Sequence, residues 1–266
     1  MPPGLPLVDW YHYIALIAAG LAAGFINTVA GSGSLITLPL LIWLGLPANV
    51  ANGTNRIGIL FQSLVGVGSF HRQGQLEWRQ ALIPTIPAVV GAIVGAQIAV
   101  DLDETVMRRV IGALMVFMLV LMIVNPDRWL REAAETRRIH SGWLGWIVMF
   151  GVGLYGGFIQ VGIGVILLAG LVLGSGYDLV RANAVKLLIV LCYTPFAIAV
   201  FIRGGQVAWL PGLILAIGSM AGAWIAAHMA VRRGVRFVRL LLIAVVIASA
   251  VDLLGIGAMV KRWIGV

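Results

Sequence analysis

Apolar residues gather into long runs, separated by short polar or glycine-rich breaks. The runs fall at His12–Thr28, Leu35–Leu46, Val50–Phe70, Ala81–Val100 and Val106–Val124. They resume at Trp143–Gln160, Val165–Leu173, Leu179–Ile202, Leu210–Ala230 and Phe237–Leu254. A helix needs about 20 apolar residues to cross a bilayer, so most runs predict transmembrane helices. Leu35–Leu46 and Val165–Leu173 are too short to cross alone. Each follows a glycine-rich break, Ala30-Gly31-Ser32-Gly33-Ser34 in the first half and Val161-Gly162-Ile163-Gly164 in the second. Glycine permits unusual backbone angles and close approach. Irregular backbone survives at membrane depth only where protein or a water cavity surrounds it. The breaks therefore predict two pairs of shortened helices meeting inside the membrane, as re-entrant hairpins or as tilted crossings. Either way, the pair returns the chain to the side it entered from.

The runs also repeat. A shift of 131 positions lays FHRQGQLEW (Phe70–Trp78) on FIRGGQVAW (Phe201–Trp209), Gly31 and Gly33 on Gly162 and Gly164, and Gly91 on Gly222. A shift of 130 lays Arg56 on Lys186. Each half holds one shortened pair and three further crossings, an odd net number, so the halves must be inverted relative to each other. The expected fold is an all-α integral membrane protein of two inverted-topology repeats, residues 1–125 and 142–266, joined by a linker at 126–141. Arg128, Arg131, Arg137 and Arg138 place that linker in the cytoplasm. The loop with Arg232, Arg233, Arg236 and Arg239 then falls inside. Its repeat partner, with Asp101, Asp103 and Glu104 against Arg108 and Arg109, falls outside. Both termini come out outside, against the pull of Lys261 and Arg262.

Composition agrees with a lipid solvent. The chain of 266 residues is 61% hydrophobic and only 11% charged, against about 25% charged in a soluble domain. Its net charge of +8 sits mostly in short loops rather than on a continuous basic face, which argues against nucleic acid. The single Cys192 offers no disulfide or multi-cysteine metal framework, and the first residues lack the basic region of a cleaved signal peptide. There is no paired carboxylate, H-E-x-x-H, Walker A segment or G-x-S-x-G elbow. The expectation is a multi-pass bacterial inner-membrane protein that is not an enzyme, with no catalytic residue, metal or cofactor.

Candidate chemistry rests on two cations. Arg56 and Lys186 lie about two turns into long apolar helices, with no acidic residue within four positions. A buried unpaired cation is expensive and faces the bundle interior or water. An anionic substrate would supply the missing charge; the alternatives are an acid elsewhere in the fold or snorkelling to the interface. Asn52, Thr54 and Asn55 flank Arg56, and Asn183 flanks Lys186. They either contact the ligand or cap backbone N–H groups. Gly31, Ser32, Gly33, Ser34, Gly162 and Gly164 would add backbone donors and helix N-termini, which favour oxyanions. Asn27 and Gln160 precede the breaks, and either lines the cavity or bonds between helices. His228, late in its helix, is a candidate proton relay or a packing residue. Tyr193-Thr194-Pro195 reads as a proline kink. Gly91-x-x-x-Gly95 and Gly218-x-x-x-Gly222 fit close helix packing.

The stretch GFINTVAGSGSLITLPLLIWLGLPANVANGTNRIGILFQSLVG resembles the TauE/SafE family of sulfite and organosulfur-anion exporters. The resemblance rests on the break at Gly31–Ser34, the run Leu35–Leu40 with Pro39, the turn Leu44–Pro47 and the helix start Ala51–Thr54. A second copy spans Gly156 to Lys186. The family often has longer glycine runs, where Ser32 and Ser34 interrupt here. The resemblance implies a secondary transporter that exports sulfite or an organosulfonate, without fixing which. An anion channel or a non-transport membrane protein are the competing classes. The implied partners are a small anion and the lipid bilayer, and a homodimer is admitted.

Overall fold

The computed structural model describes residues 10–76, 78, 82–123, 143–174 and 179–229. The linker at 126–141, the loop bearing Arg232 to Arg239, the run Phe237–Leu254 and both termini lie outside the described residues.

Among the described residues all regular structure is helical. The helices are α1 (Trp10–Val29), α2 (Ser34–Trp43), α3 (Ala48–Arg72), α4 (Thr85–Asp101), α5 (Glu104–Ile123), α6 (Trp143–Phe158), α7 (Ile163–Ala169), α8 (Leu179–Arg203) and α9 (Trp209–Met229). One π-helical turn, Gly170–Gly174, extends α7. The short runs are short helices: α2 has 10 residues and α7 has 7. At 1.5 Å per residue, α2 reaches about half the thickness of a hydrocarbon core. The fourth run starts later than its apolar residues suggest, with α4 at 17 residues. Pro195 sits inside α8 without ending it.

Three helices, α1, α9 and Val180–Arg203 of α8, are long and apolar enough to cross a membrane. They expose large apolar side chains such as Ile14, Ile17, Leu213 and Ile217. In a bilayer these face lipid, which has no reason to reject them. Exposed Trp10, Trp143 and Trp209 start their helices, where aromatic rings suit the headgroup level. Helix α3 is as long as α8 but more polar. Its Asn52, Asn55, Arg56 and Gln62 are all buried, so the polarity faces protein.

The two halves interlock. Helix α1 packs on α9, α4 on α6, α3 on both α8 and α9, and α8 on α4. Small residues set the closest approaches: Gly20 and Gly24 meet the backbone of Leu215 and Ser219, while Gly91 and Gly95 meet that of Phe150 and Leu154. Those registers make α1 parallel to α9 and α4 parallel to α6. Gly53 lies against Phe201 and Gly66 against Leu187, so α3 and α8 cross antiparallel.

Candidate functional site

The two breaks meet at the centre. Gly31 and Gly162 both take positive φ, 83° and 70°, a conformation that strains residues with a Cβ. The Gly164 N–H donates to the Gly31 carbonyl at 3.1 Å. A Cβ on Gly164 would collide with the Gly31 backbone, and the reverse holds for Gly31.

A helix that stops inside a packed bundle strands its last carbonyls. At the end of α1, the Ala30 and Gly31 N–H groups both take the Ile26 carbonyl. The carbonyls of Asn27, Thr28 and Val29 need other donors. Lys186 Nζ donates to Asn27 at 2.8 Å and to Thr28 at 3.3 Å, and Asn183 Nδ2 donates to Val29 at 3.4 Å. The third Lys186 bond goes to Asn183 Oδ1 at 2.6 Å.

The end of α6 is closed the same way from the other half. Arg56 Nη1 donates to the Gly156 carbonyl at 2.9 Å, and Nη2 donates to Gly157 at 2.5 Å and Phe158 at 3.3 Å. Asn52 Nδ2 adds a bond to Phe158 at 2.9 Å. The guanidinium also lies over the Phe201 ring, 4.6 Å from its centroid.

Both cations are sealed in, with Arg56 at 0% exposure and Lys186 at 1%. Among the described residues neither has a carboxylate partner, and the ion pair found there is the exposed Arg108–Glu104. A helix C-terminus carries about half a negative charge, so each carbonyl set offsets roughly half of its cation.

A cavity of about 20 Å³ opens where the breaks meet. It is lined by Asn27, Gly31, Ser34, Gln160, Gly164 and Lys186, with apolar walls from Ile59, Ile163, Leu187 and Val190 and one further amide, Gln62. That volume holds about one or two waters. Six of the residues picked from sequence thus converge. Ser32, Gly33 and Gly162 lie in the break backbone beside it. Asn55 bonds the lining residue Ser34 at 3.1 Å and accepts from Thr37 at 2.6 Å.

Other expectations turn out differently. Pro47, with no side-chain cap, begins α3, so Asn52 and Asn55 do not cap their own helix. They reach across, because the buried carbonyls and hydroxyls of neighbouring elements need donors more. Thr54 caps another helix, accepting from the Ala208 N–H at 2.9 Å just before α9. The break N–H groups of Gly33 and Gly164 are engaged, by Asn27 Oδ1 at 2.6 Å and by the Gly31 carbonyl. Arg56 is absent from the cavity lining. His228 is exposed, with its ring 4.5 Å from Trp224 and its Nδ1 2.8 Å from the Trp224 carbonyl.

Gln62 escaped the sequence reading, and Tyr193 entered it only as part of a proline kink. Gln62 accepts from Asn27 Nδ2 at 3.3 Å, and Tyr193 OH accepts from Gln160 Nε2 at 3.4 Å. Gln62 and Tyr193 are 131 positions apart, so the repeat that revealed the cations could have found them.

Comparison with known proteins places this architecture. The sequence model of the family described as "Sulfite exporter TauE/SafE" matches residues 16–253. The chain is 27% identical to "Probable membrane transporter protein ORF9" of a Sinorhizobium species, over 92% of this chain and 93% of that one. It is 27% identical to a "Probable membrane transporter protein" of Haemophilus influenzae, over 84% and 87%. It is 26% identical to "Probable membrane transporter protein YfcA" of Escherichia coli K12, over 94% and 93%. A multi-pass helical chain with these relatives is a membrane transporter, not an enzyme. It belongs to the TauE/SafE family.

Proposed function

We propose that the chain exports a small sulfur oxyanion, sulfite or an organosulfonate, through a site between two inverted repeats. Lys186 supplies the charge that meets the anion, and Arg56 acts as a fixed clamp on α6. One observation carries this reading: Lys186 has no carboxylate partner among the described residues and lines the cavity where the two breaks meet. Ser34, the first residue of α2, also lines that cavity. The positive end of a 10-residue helix adds to the field an anion would feel.

Inversion is supported by direction and by packing. Helices α3 and α8 are repeat equivalents and cross antiparallel. Exchanging the halves turns the α1–α9 contact into the α6–α4 contact, and α3–α9 into α8–α4. A second left-handed glycine pair, Gly74 and Gly205, also stands 131 positions apart. An oxyanion needs more room than about 20 Å³, so loading requires the walls to part. Rocking one half against the other would part them and expose the site alternately to each side. The inside-negative potential favours anion exit by about 2.3 kcal/mol per charge per 100 mV, so export needs no coupling ion.

Sulfite efflux from loaded proteoliposomes tests the function. Protein-dependent efflux of sulfite or a sulfonate is expected. Folded protein that moves neither would refute the proposal, and continuous unit conductance would reassign it to a channel. Inversion has its own test. Cysteines at exposed His71 and Ile202, with Cys192→Ser, should react with an impermeant maleimide from opposite sides of the membrane. Labelling from one side would rule inversion out.

A further inference from the structure

Donors and acceptors around the cavity are not balanced, and the imbalance describes a ligand. Among the lining residues Lys186 is the one that carries charge. Arg56 is held by three carbonyls and the Phe201 ring, away from the lining. A bound anion therefore meets a single cation. A second negative charge would find no second cation among the lining residues to repay its desolvation.

Gln160 supplies the second observation. It is 2% exposed and lines the cavity. Its Nε2 donates to Thr194 Oγ1 at 3.3 Å. Thr194 spends its own hydrogen on the Val190 carbonyl at 2.6 Å, so towards Gln160 it can only accept. That fixes which end of the amide faces Thr194. Gln160 Oε1 is left buried with no donor. An unmet buried acceptor is unfavourable, and in an anion site it repels a bare oxygen. A ligand that brings an O–H or N–H satisfies it.

We infer that the cavity selects a singly charged oxyanion carrying a hydrogen-bond donor, with Lys186 meeting the charge and Gln160 Oε1 accepting the donor. The inference rests on the transport reading above and narrows its substrate class. Hydrogensulfite has both properties, and so does a hydroxyalkyl sulfonate. Methanesulfonate has the charge alone, and the sulfite and sulfate dianions have neither. Lys186 and Tyr193, both on α8, are the titratable groups at the site. The lining residues of α1, α2, α3 and α7 contribute none.

Calorimetric titration of the full chain in nanodiscs tests this with four probes: sodium sulfite, 2-hydroxyethanesulfonate, methanesulfonate and sulfate. On the alkaline side of neutrality, where sulfite loses its last proton, its apparent affinity should fall roughly tenfold per pH unit. The affinity for 2-hydroxyethanesulfonate carries any titration of Lys186 itself over the same range, so the tenfold fall is read relative to it. Methanesulfonate should bind about tenfold more weakly than 2-hydroxyethanesulfonate, the worth of one hydrogen bond, and Gln160→Leu should close that gap. Sulfate binding as well as the sulfonates, or equal affinity for the two sulfonates in the unmodified protein, would overturn the inference and leave the transport reading standing. Failure of every probe to bind at any pH would overturn both. The unmodified protein decides these outcomes even if Gln160→Leu does not fold.

Discussion

Arg56 and Lys186 occupy matched places in the two halves, and both close a helix that ends inside the packed bundle. Their surroundings differ. The guanidinium reaches three successive carbonyls of α6 and covers an aromatic ring. The ammonium reaches two carbonyls of α1 and one amide, and Lys186 also lines the cavity. Arginine offers a planar fork with five donors, whereas lysine is a compact charge with three donors on a flexible stem. The fork suits a permanent clamp. The point charge suits a group that lets go of a carbonyl and takes an anion instead. Equivalent positions in a repeated chain thus carry one shared structural duty, to which the proposed function adds anion binding at Lys186 alone.

The largest effect should come from the joint between the two regions. Gly164→Ala drives a methyl group into the backbone of Gly31. Overpacking against backbone with no room to yield is expected to cost about 3 kcal/mol or more, read as loss of the monodisperse peak and a lower thermal midpoint. Next comes the clamp. Arg56→Met strands the Gly156 and Gly157 carbonyls, leaves Phe158 with Asn52 alone and removes the cation over the Phe201 ring, and should destabilise the protein by about 3 kcal/mol. Lys186→Met strands two and should destabilise it less. Equal thermal shifts for the pair would erase the distinction. The smallest effect belongs to the amides. Asn52→Leu and Asn183→Leu each remove one bond to a helix end and should cost about 1 kcal/mol apiece. A large asymmetry there would mean that the helix ends are not closed in the same way.

Much of this was legible before any coordinates. A membrane crossing must be a contiguous apolar run, so helix positions followed from hydropathy. The exceptions lay at the ends, as with α4 beginning at Thr85. The breaks stood out because Gly31 and Gly162 repeat at a fixed interval. Arg56 and Lys186 stood out because charge is rare inside such runs. What each cation touches was hidden. Its partners are backbone carbonyls of the other half, and every residue has a carbonyl, so no side-chain pattern marks them. Gln62 was overlooked, and Tyr193 was read only as part of a kink, because a lone amide or phenol in an apolar helix carries little signal until its repeat partner is set beside it. That Lys186 lines the cavity while Arg56 lies over the Phe201 ring is a matter of tertiary contact.

The central claim is that Lys186, not Arg56, meets the anion. Sulfite binding to Lys186→Met and to Arg56→Lys, measured by calorimetry on folded protein beside the unmodified chain, tests it most directly. The account requires binding to fall at least about 100-fold in Lys186→Met, or roughly 2.7 kcal/mol, and to stay within about threefold in Arg56→Lys. Retained binding in Lys186→Met together with lost binding in Arg56→Lys would contradict it.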